Sequence, residues 1–210
     1  MSIAMVITCY CYLIGTIVMN GLLTVTVNPM KFDQLINQAP CPENRDDTWA
    51  RLCCELAISA HEQGNYAVGA LLTNADDELL CTAANSVFSC GYHSDRHAEM
   101  VLLNQLEDNL PMQNRLELTL YVSLEPCLMC YGRILLSGIQ RVRYLAKDPD
   151  GGFADHLHLL PPAWRNLASR VTVEPMEAND YWKTLAARLI SELQDRDEMR
   201  QQVKNAWAGK

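Results

Sequence analysis

A three-layer α/β domain, with helices on both faces of a mixed central sheet, is the fold class this chain predicts. Three observations carry it. Helical stretches with one apolar face alternate with short apolar strands in the order α-β-β-α-β-α-β, which places a hairpin first and strand–helix–strand units after it. The composition, 49% hydrophobic and 20% charged over 210 residues, is that of a globular chain able to fill a core. No internal repeat or low-complexity tract competes with that reading.

From Ser2 to Pro29 the chain carries no charge, and Ile3–Val27 is mostly apolar. Residues 3–27 are long enough to span a membrane. No Lys or Arg precedes them, which speaks against a cleaved signal peptide. A third possibility, translation beginning at Met30, is the one favoured, because Thr8, Gly15, Thr16, Asn20 and Gly21 dilute the stretch as a span. Residues 31–46, with Pro40 and Pro42, read as a polar linker ahead of a domain expected over 47–193.

Asp46 and Asp47 are placed to cap a helix whose apolar face runs Trp49, Leu52, Cys53, Leu56, Ala57 and Ala60. Gly64-Asn65 ends it. Ala67–Leu72 and Glu78–Ala84 read as strands joined by a turn at Asn74–Asp77. A loop over Asn85–Arg96 leads to a helix from His97 to about Asp108. Leu116–Leu124 reads as a strand, Cys127–Leu136 as a helix ended by Gly138, and Gln140–Leu145 as another strand. Asp148–Gly152 is a turn and Arg170–Val173 a last short strand. Tyr181, Trp182, Leu185, Ala186, Leu189, Ile190 and Leu193 give a terminal helix. The charged run Glu192–Arg200 and the rest of 194–210 read as its solvated end.

The chemistry concentrates in His97-Ala98-Glu99 and Glu125-Pro126-Cys127-Leu128-Met129-Cys130. Cys127 and Cys130 are i and i+3, so at a helix start both sulfurs can face one point. An imidazole and two thiolates with one position left open suit a catalytic zinc ion better than a structural one. Glu99 lies too close to His97 to share the ion comfortably and is better placed to move a proton. His-x-Glu followed by Pro-Cys-x-x-Cys is the pattern of the zinc nucleobase deaminases. Residues 66–148 resemble the core of the cytidine/deoxycytidylate deaminase superfamily, and the run Leu120–Cys130 is closest to its tRNA adenosine deaminase and guanine deaminase branch.

That resemblance implies a cytidine-deaminase-like fold, a Zn2+ cofactor on His97, Cys127 and Cys130, and Glu99 as the catalytic residue. It implies substrate contacts from Asn85, from the backbone N–H of Ala98 and, at the base edge, from Glu125. It further implies a hydrolytic deaminase of a nucleobase, nucleoside or nucleotide, assembled as a homodimer. The alternatives are a tRNA adenosine-to-inosine deaminase and a non-catalytic zinc-binding partner subunit. Glu99 argues against the last, since a chain keeping only the metal would lose that carboxylate first.

Charge and loop sequence decide the lean between small substrate and tRNA. The net charge is −8, which disfavours a broad grip on polyphosphate. The loop His93-Ser94-Asp95-Arg96 departs from the Asp-Pro-Thr-Ala common in the tRNA branch. Arg115, Arg133, Arg141 and Arg143 are candidates for a basic rim and Arg96 for a phosphate contact. The lean is to a small substrate. Nine cysteines, an odd number, suit a reducing cytoplasm better than a disulfide framework, with Cys53, Cys54 and Cys81 expected as buried thiols. His61 is expected at a helix C-terminus, His93 at the pocket rim, and His156 and His158 in a loop.

Overall fold

The structure is a computed structural model that describes residues 30–209, apart from the side chains of Met30, Lys31 and Asp33. The expectations for residues 1–29, including the apolar segment 3–27, lie outside the described residues. In chain order the elements are α1 (Met30–Asn37), α2 (Arg45–Glu62), β1 (Gly69–Thr73), β2 (Leu79–Ala84), α3 (Ala98–Asn109), β3 (Thr119–Leu124), α4 (Leu128–Ser137) and β4 (Arg141–Ala146). After these come α5 (Pro162–Ala168), β5 (Thr172–Pro175), α6 (Asp180–Ser191) and α7 (Arg196–Trp207), with short 3-10 turns at Arg115–Glu117 and Leu157–Leu159.

The strands form one sheet in the order β2-β1-β3-β4-β5. β2 and β3 flank β1 antiparallel, whereas β3, β4 and β5 run parallel. The mixed sheet and the helices on both faces match the expected three-layer class. One core lies under α2 and α6, where Cys53, Ala57, Leu71, Tyr121 and Trp182 meet. A second lies under α3 and α4, around Leu72, Leu102, Leu106, Leu120 and Ile134. β1 is buried along its whole length because both of its faces are covered.

Several expectations are corrected. The linker proposed for 31–46 contains α1, because Phe32, Leu35 and Ile36 fall at i, i+3 and i+4 and pack onto the first core. The cap of α2 is Asn44, whose side chain accepts from the Asp47 N–H at 2.8 Å. Asp46 and Asp47 sit in the first turn, and their carboxylates instead accept from the backbone N–H groups of Glu177 and Asn179. Those bonds tie α2 to the entry of α6. The terminal helix does not fade after Leu193. α6 stops, and Asp195 caps a new helix, α7, by accepting from the N–H groups of Asp197 and Glu198. Among the described residues, no helix is long and apolar enough to cross a membrane.

The topology gathers the loops that matter at one end. β1 begins, β2 ends, and the parallel β3 and β4 end, on the same side of the sheet. Tyr66, Asn85, Glu125 and Asp148 therefore crowd together just beyond the strands. The carboxyl ends of parallel strands are where open α/β sheets bind ligands.

Candidate metal centre and cleft

His97 is the N-cap residue of α3 and Cys127 that of α4, both with extended backbone, so two helix N-termini converge. Cys130 lies in the first turn of α4 and is fully buried. Gly138, at φ 88°, closes the other end of α4 in the left-handed conformation that a Cβ disfavours.

His97 Nδ1 lies 3.7 Å from Cys127 Sγ and 3.6 Å from Cys130 Sγ. All three donor atoms fall within 4.8 Å of one another. Tetrahedral zinc with its usual bonds to nitrogen and sulfur gives an N-to-S edge of about 3.6 Å. The donor set fits zinc in both chemistry and spacing, and three ligands leave the fourth position open.

The electrostatics follow from burial and crowding. A hydrogen bond from Cys130 outweighs burial and brings the Cys127 thiol down to about 4, with His97 and the Cys130 N–H adding to the effect. Cys130 is driven up by the same hydrogen bond, then by burial and the charge of Glu99, so Cys127 is the sulfur that ionises first. Burial opposes the charge on His97, yet its hydrogen bond to Cys127 and the charges of Cys127 and Glu99 leave it raised. Glu99, 4% exposed, is pushed up to about 7, by burial first and by Cys127 second.

His97, Glu99 and Cys127 line one wall of a cavity of about 290 Å³, which Asn85, Glu125 and Asp148 also border. Asn85 is 3% exposed, and its side-chain oxygen accepts from the Val87 N–H at 3.1 Å. That bond fixes the amide plane and leaves the side-chain nitrogen as the donor. Ala98 is fully buried as the first residue of α3, where helix N–H groups lack an intrahelical acceptor.

Glu125 has a structural task that the sequence did not reveal. Its carboxylate accepts from the backbone N–H of Ala154 at 2.9 Å and of Asp148 at 3.3 Å. Both oxygens hold the 148–154 loop, and the residue also borders the cavity. The same loop pairs with the site directly, through a bridge between Cys127 and Gly152 and a hydrogen bond from the Phe153 N–H to the Pro126 carbonyl.

Among the described residues that line this cleft, none of the five arginines expected at a rim appears. Arg115 and Arg133 pair with Glu107, Arg141 donates to Thr119 and the Glu117 carbonyl, and Arg143 pairs with Asp46 and Glu174. Arg141 and Arg143 begin and enter β4, at the end of the sheet away from the cavity. Arg96 donates to the Ser89 carbonyl, and the His93 N–H to Val87 within the same loop. Of the cysteines expected as buried thiols, Cys53 and Cys54 are fully buried and Cys81 partly so.

The opposite wall escaped sequence reasoning. Tyr66 and Val68 precede β1, and Ile190, Gln194, Arg196, Met199 and Arg200 come from the α6–α7 junction and α7. The run taken for a wet helix end thus roofs the cleft. A signal was present: Met199 and Val203 repeat at i and i+4 behind the capping Asp195.

The family model for the cytidine and deoxycytidylate deaminase zinc-binding region matches residues 43–146. The chain is 36% identical over 107 residues to a tRNA-specific adenosine deaminase of Buchnera aphidicola, covering 51% of this chain and 70% of that protein. It is 31% identical over 140 residues to the tRNA-specific adenosine deaminase of Aquifex aeolicus, covering 64% and 91%. A solved structure from work on A-to-I editing by tRNA:A34 deaminases superposes with a TM-score of 0.54 at 25% identity, covering 68% of this chain and 98% of that one. A guanine deaminase from Nitrosomonas europaea shares the fold, with a TM-score of 0.54 at 22% identity over 82% of this chain and 98% of that one.

Proposed function

The chain belongs to the cytidine and deoxycytidylate deaminase family of zinc-dependent hydrolases acting on C–N bonds, and from that premise we propose that it deaminates a small nucleobase compound in the cleft between α3, α4 and α7. The observation that carries the reading is the buried Glu99 carboxylate beside a donor triad with the spacing of tetrahedral zinc.

His97, Cys127 and Cys130 would hold the ion, and zinc there would supply the Lewis acidity that makes a hydrolytic water nucleophilic near neutral pH. Glu99 takes a proton from that water as its oxygen bonds to the amino-bearing ring carbon. It passes the proton to the ring nitrogen. It then takes the second proton from the newly bound hydroxyl and delivers it to the departing amine, so that the C–N bond breaks with release of NH₃ and the hydroxyl oxygen remains as the carbonyl. Asn85 orients the base by donating from its side-chain amide, and the Ala98 N–H meets the base from the start of α3. Glu125 supports the site by fixing the 148–154 loop.

A small substrate is favoured over tRNA by the modest volume of the cleft, by the ion-paired state of Arg115, Arg133 and Arg143, and by the net charge of −8. The similarity to tRNA-specific adenosine deaminases keeps wobble-base deamination as the second reading. Self-association into a homodimer is supported by α4, which exposes Leu128, Met129 and Leu136. A reducing, cytoplasmic setting is supported by the free state of the cysteines among the described residues. The catalytic unit is 47–193 with α7 added as its roof.

Ammonia release by the zinc-loaded chain and by Glu99→Ala tests the reading, with guanine, cytosine, adenine, their nucleosides and an anticodon stem-loop as substrates. The expected result is turnover of a small substrate by the native chain and its loss in Glu99→Ala with zinc retained. Full activity in Glu99→Ala would remove that residue from the mechanism. Turnover of the stem-loop alone would establish the second reading, and zinc binding without turnover would return the chain to a partner subunit.

A further inference from the structure

We propose that Arg196 and Arg200, on the cavity side of α7, form a phosphate subsite, so that the base deaminated here carries a phosphate group. The inference rests on the deaminase reading and adds to it the far end of the substrate.

The cleft has a direction. At its inner end Glu99 is 4% exposed and Asn85 3%. At its outer end the Arg196 side chain is 40% exposed and that of Arg200 63%. Val68, Leu124 and Ile190 supply apolar walls between the two. A planar base seated against Glu99 would thus direct whatever it is attached to toward the guanidinium groups.

α7 is held where it can do this. Arg196 and Arg200 are i and i+4 and share one helix face. Met199, 5% exposed, anchors that face, and Gln194 fixes the entry by accepting from the Ala67 N–H at 3.2 Å and donating to the Asn65 carbonyl at 2.7 Å. Tyr66 lines the same cavity as Arg196 and Arg200, and both guanidinium charges oppose the rise that burial causes in its hydroxyl pKa.

Their present partners are weak competitors for a phosphate. Arg196 pairs with Asp150 at 2.9 Å and Arg200 with Asp197 at 3.4 Å, and those carboxylates are 61% and 93% exposed. Exposed pairs of this kind hold loosely. A phosphate offers more charge and a bidentate match to a guanidinium. Arg115, Arg133, Arg141 and Arg143 lie elsewhere and are engaged, so these residues do not extend the subsite into a track. A single phosphate, as on a nucleoside monophosphate, is the source this arrangement favours.

The test uses the zinc-loaded full chain. Binding by calorimetry and kcat/KM are measured for guanine, cytosine and adenine, their nucleosides, the 5′-monophosphates and an anticodon stem-loop. The monophosphate is expected to exceed its nucleoside by about tenfold or more, and Arg196→Gln and Arg200→Gln to collapse that ratio. Asp150→Asn, which releases Arg196, is expected to lower KM for the monophosphate. Equal handling of nucleoside and monophosphate would overturn the subsite while leaving the deaminase reading intact. So would Asp150→Asn and Arg196→Gln shifting the ratio the same way, since that is the mark of a structural latch. Arginine-dependent turnover of the stem-loop without the monophosphate would keep the phosphate contact and overturn the nucleotide source. Arginine-dependent binding of the monophosphate without deamination of any substrate would keep the subsite and overturn the deaminase reading.

Discussion

Gly152 and Glu125 show how a single position controls the metal centre from outside it. A Cβ on Gly152 would come within 2.5 Å of the Glu125 side-chain carbon and 2.7 Å of the Asp148 carbonyl oxygen. Gly152→Ala should therefore cost about 1–3 kcal/mol in urea unfolding. It should also weaken zinc binding, because Gly152 pairs with Cys127. Native stability and native zinc affinity in that variant would contradict the loop's role. His61 packs edge-on to Phe32 at 5.2 Å, and burial lowers its pKa from the ordinary 6.5 despite the nearby Glu62. The unfolded chain then takes up the proton first, so this residue's effect is a loss of stability as pH falls through about 6.5 toward its folded value. An NMR titration should place the imidazole below 6.5, and a value at or above it would contradict the burial account. The inner wall of the site was legible residue by residue. His97, Glu99, Cys127 and Cys130 owe their convergence to short spacings at two helix starts, and such spacings are visible in a string of letters. The carboxylate of Glu125 was not legible, because its partners lie more than twenty residues away across a loop.

At the scale of elements, α2 lies on β1 as closely as backbone permits. A Cβ at Gly69 would meet the Cys53 carbonyl oxygen and the Leu56 Cβ, each at 2.5 Å. Gly69→Ala should push the helix off the sheet and cost about 1–3 kcal/mol, read as a lower urea midpoint with an unchanged slope. An unchanged midpoint would show that α2 can slide without loss. The hairpin and the strand–helix–strand run that brackets the cysteines were readable, because apolar alternation and the turn residues Asn74–Asp77 and Gly138 are local signals. α1 was read as a linker because its apolar residues make a single short stripe beside two prolines. α5 went unread, since seven residues hardly establish a period. The break between α6 and α7 was lost because charge in a sequence looks the same on a solvated face as on the roof of a cleft.

For the whole molecule, the acidic balance and the arrangement of arginines act together. The chain carries −8 overall, yet α7 points two guanidinium groups at the one cleft that holds the metal ligands. Composition alone conveys the first fact and only tertiary packing the second, which is why the class of reaction was legible and the outer half of the cleft was not. Self-association through α4 should appear as a dimer in sedimentation equilibrium, and Met129→Glu with Leu136→Glu should yield monomer. A native chain that sediments as a monomer would contradict that assignment. The whole molecule converges on one nitrogen and two sulfurs placed to grip one zinc ion. Metal analysis of purified protein tests it most directly. One zinc per chain is expected in the native protein and almost none in Cys127→Ser or Cys130→Ser. Stoichiometric zinc in both variants, or a native protein that deaminates without metal, would contradict it.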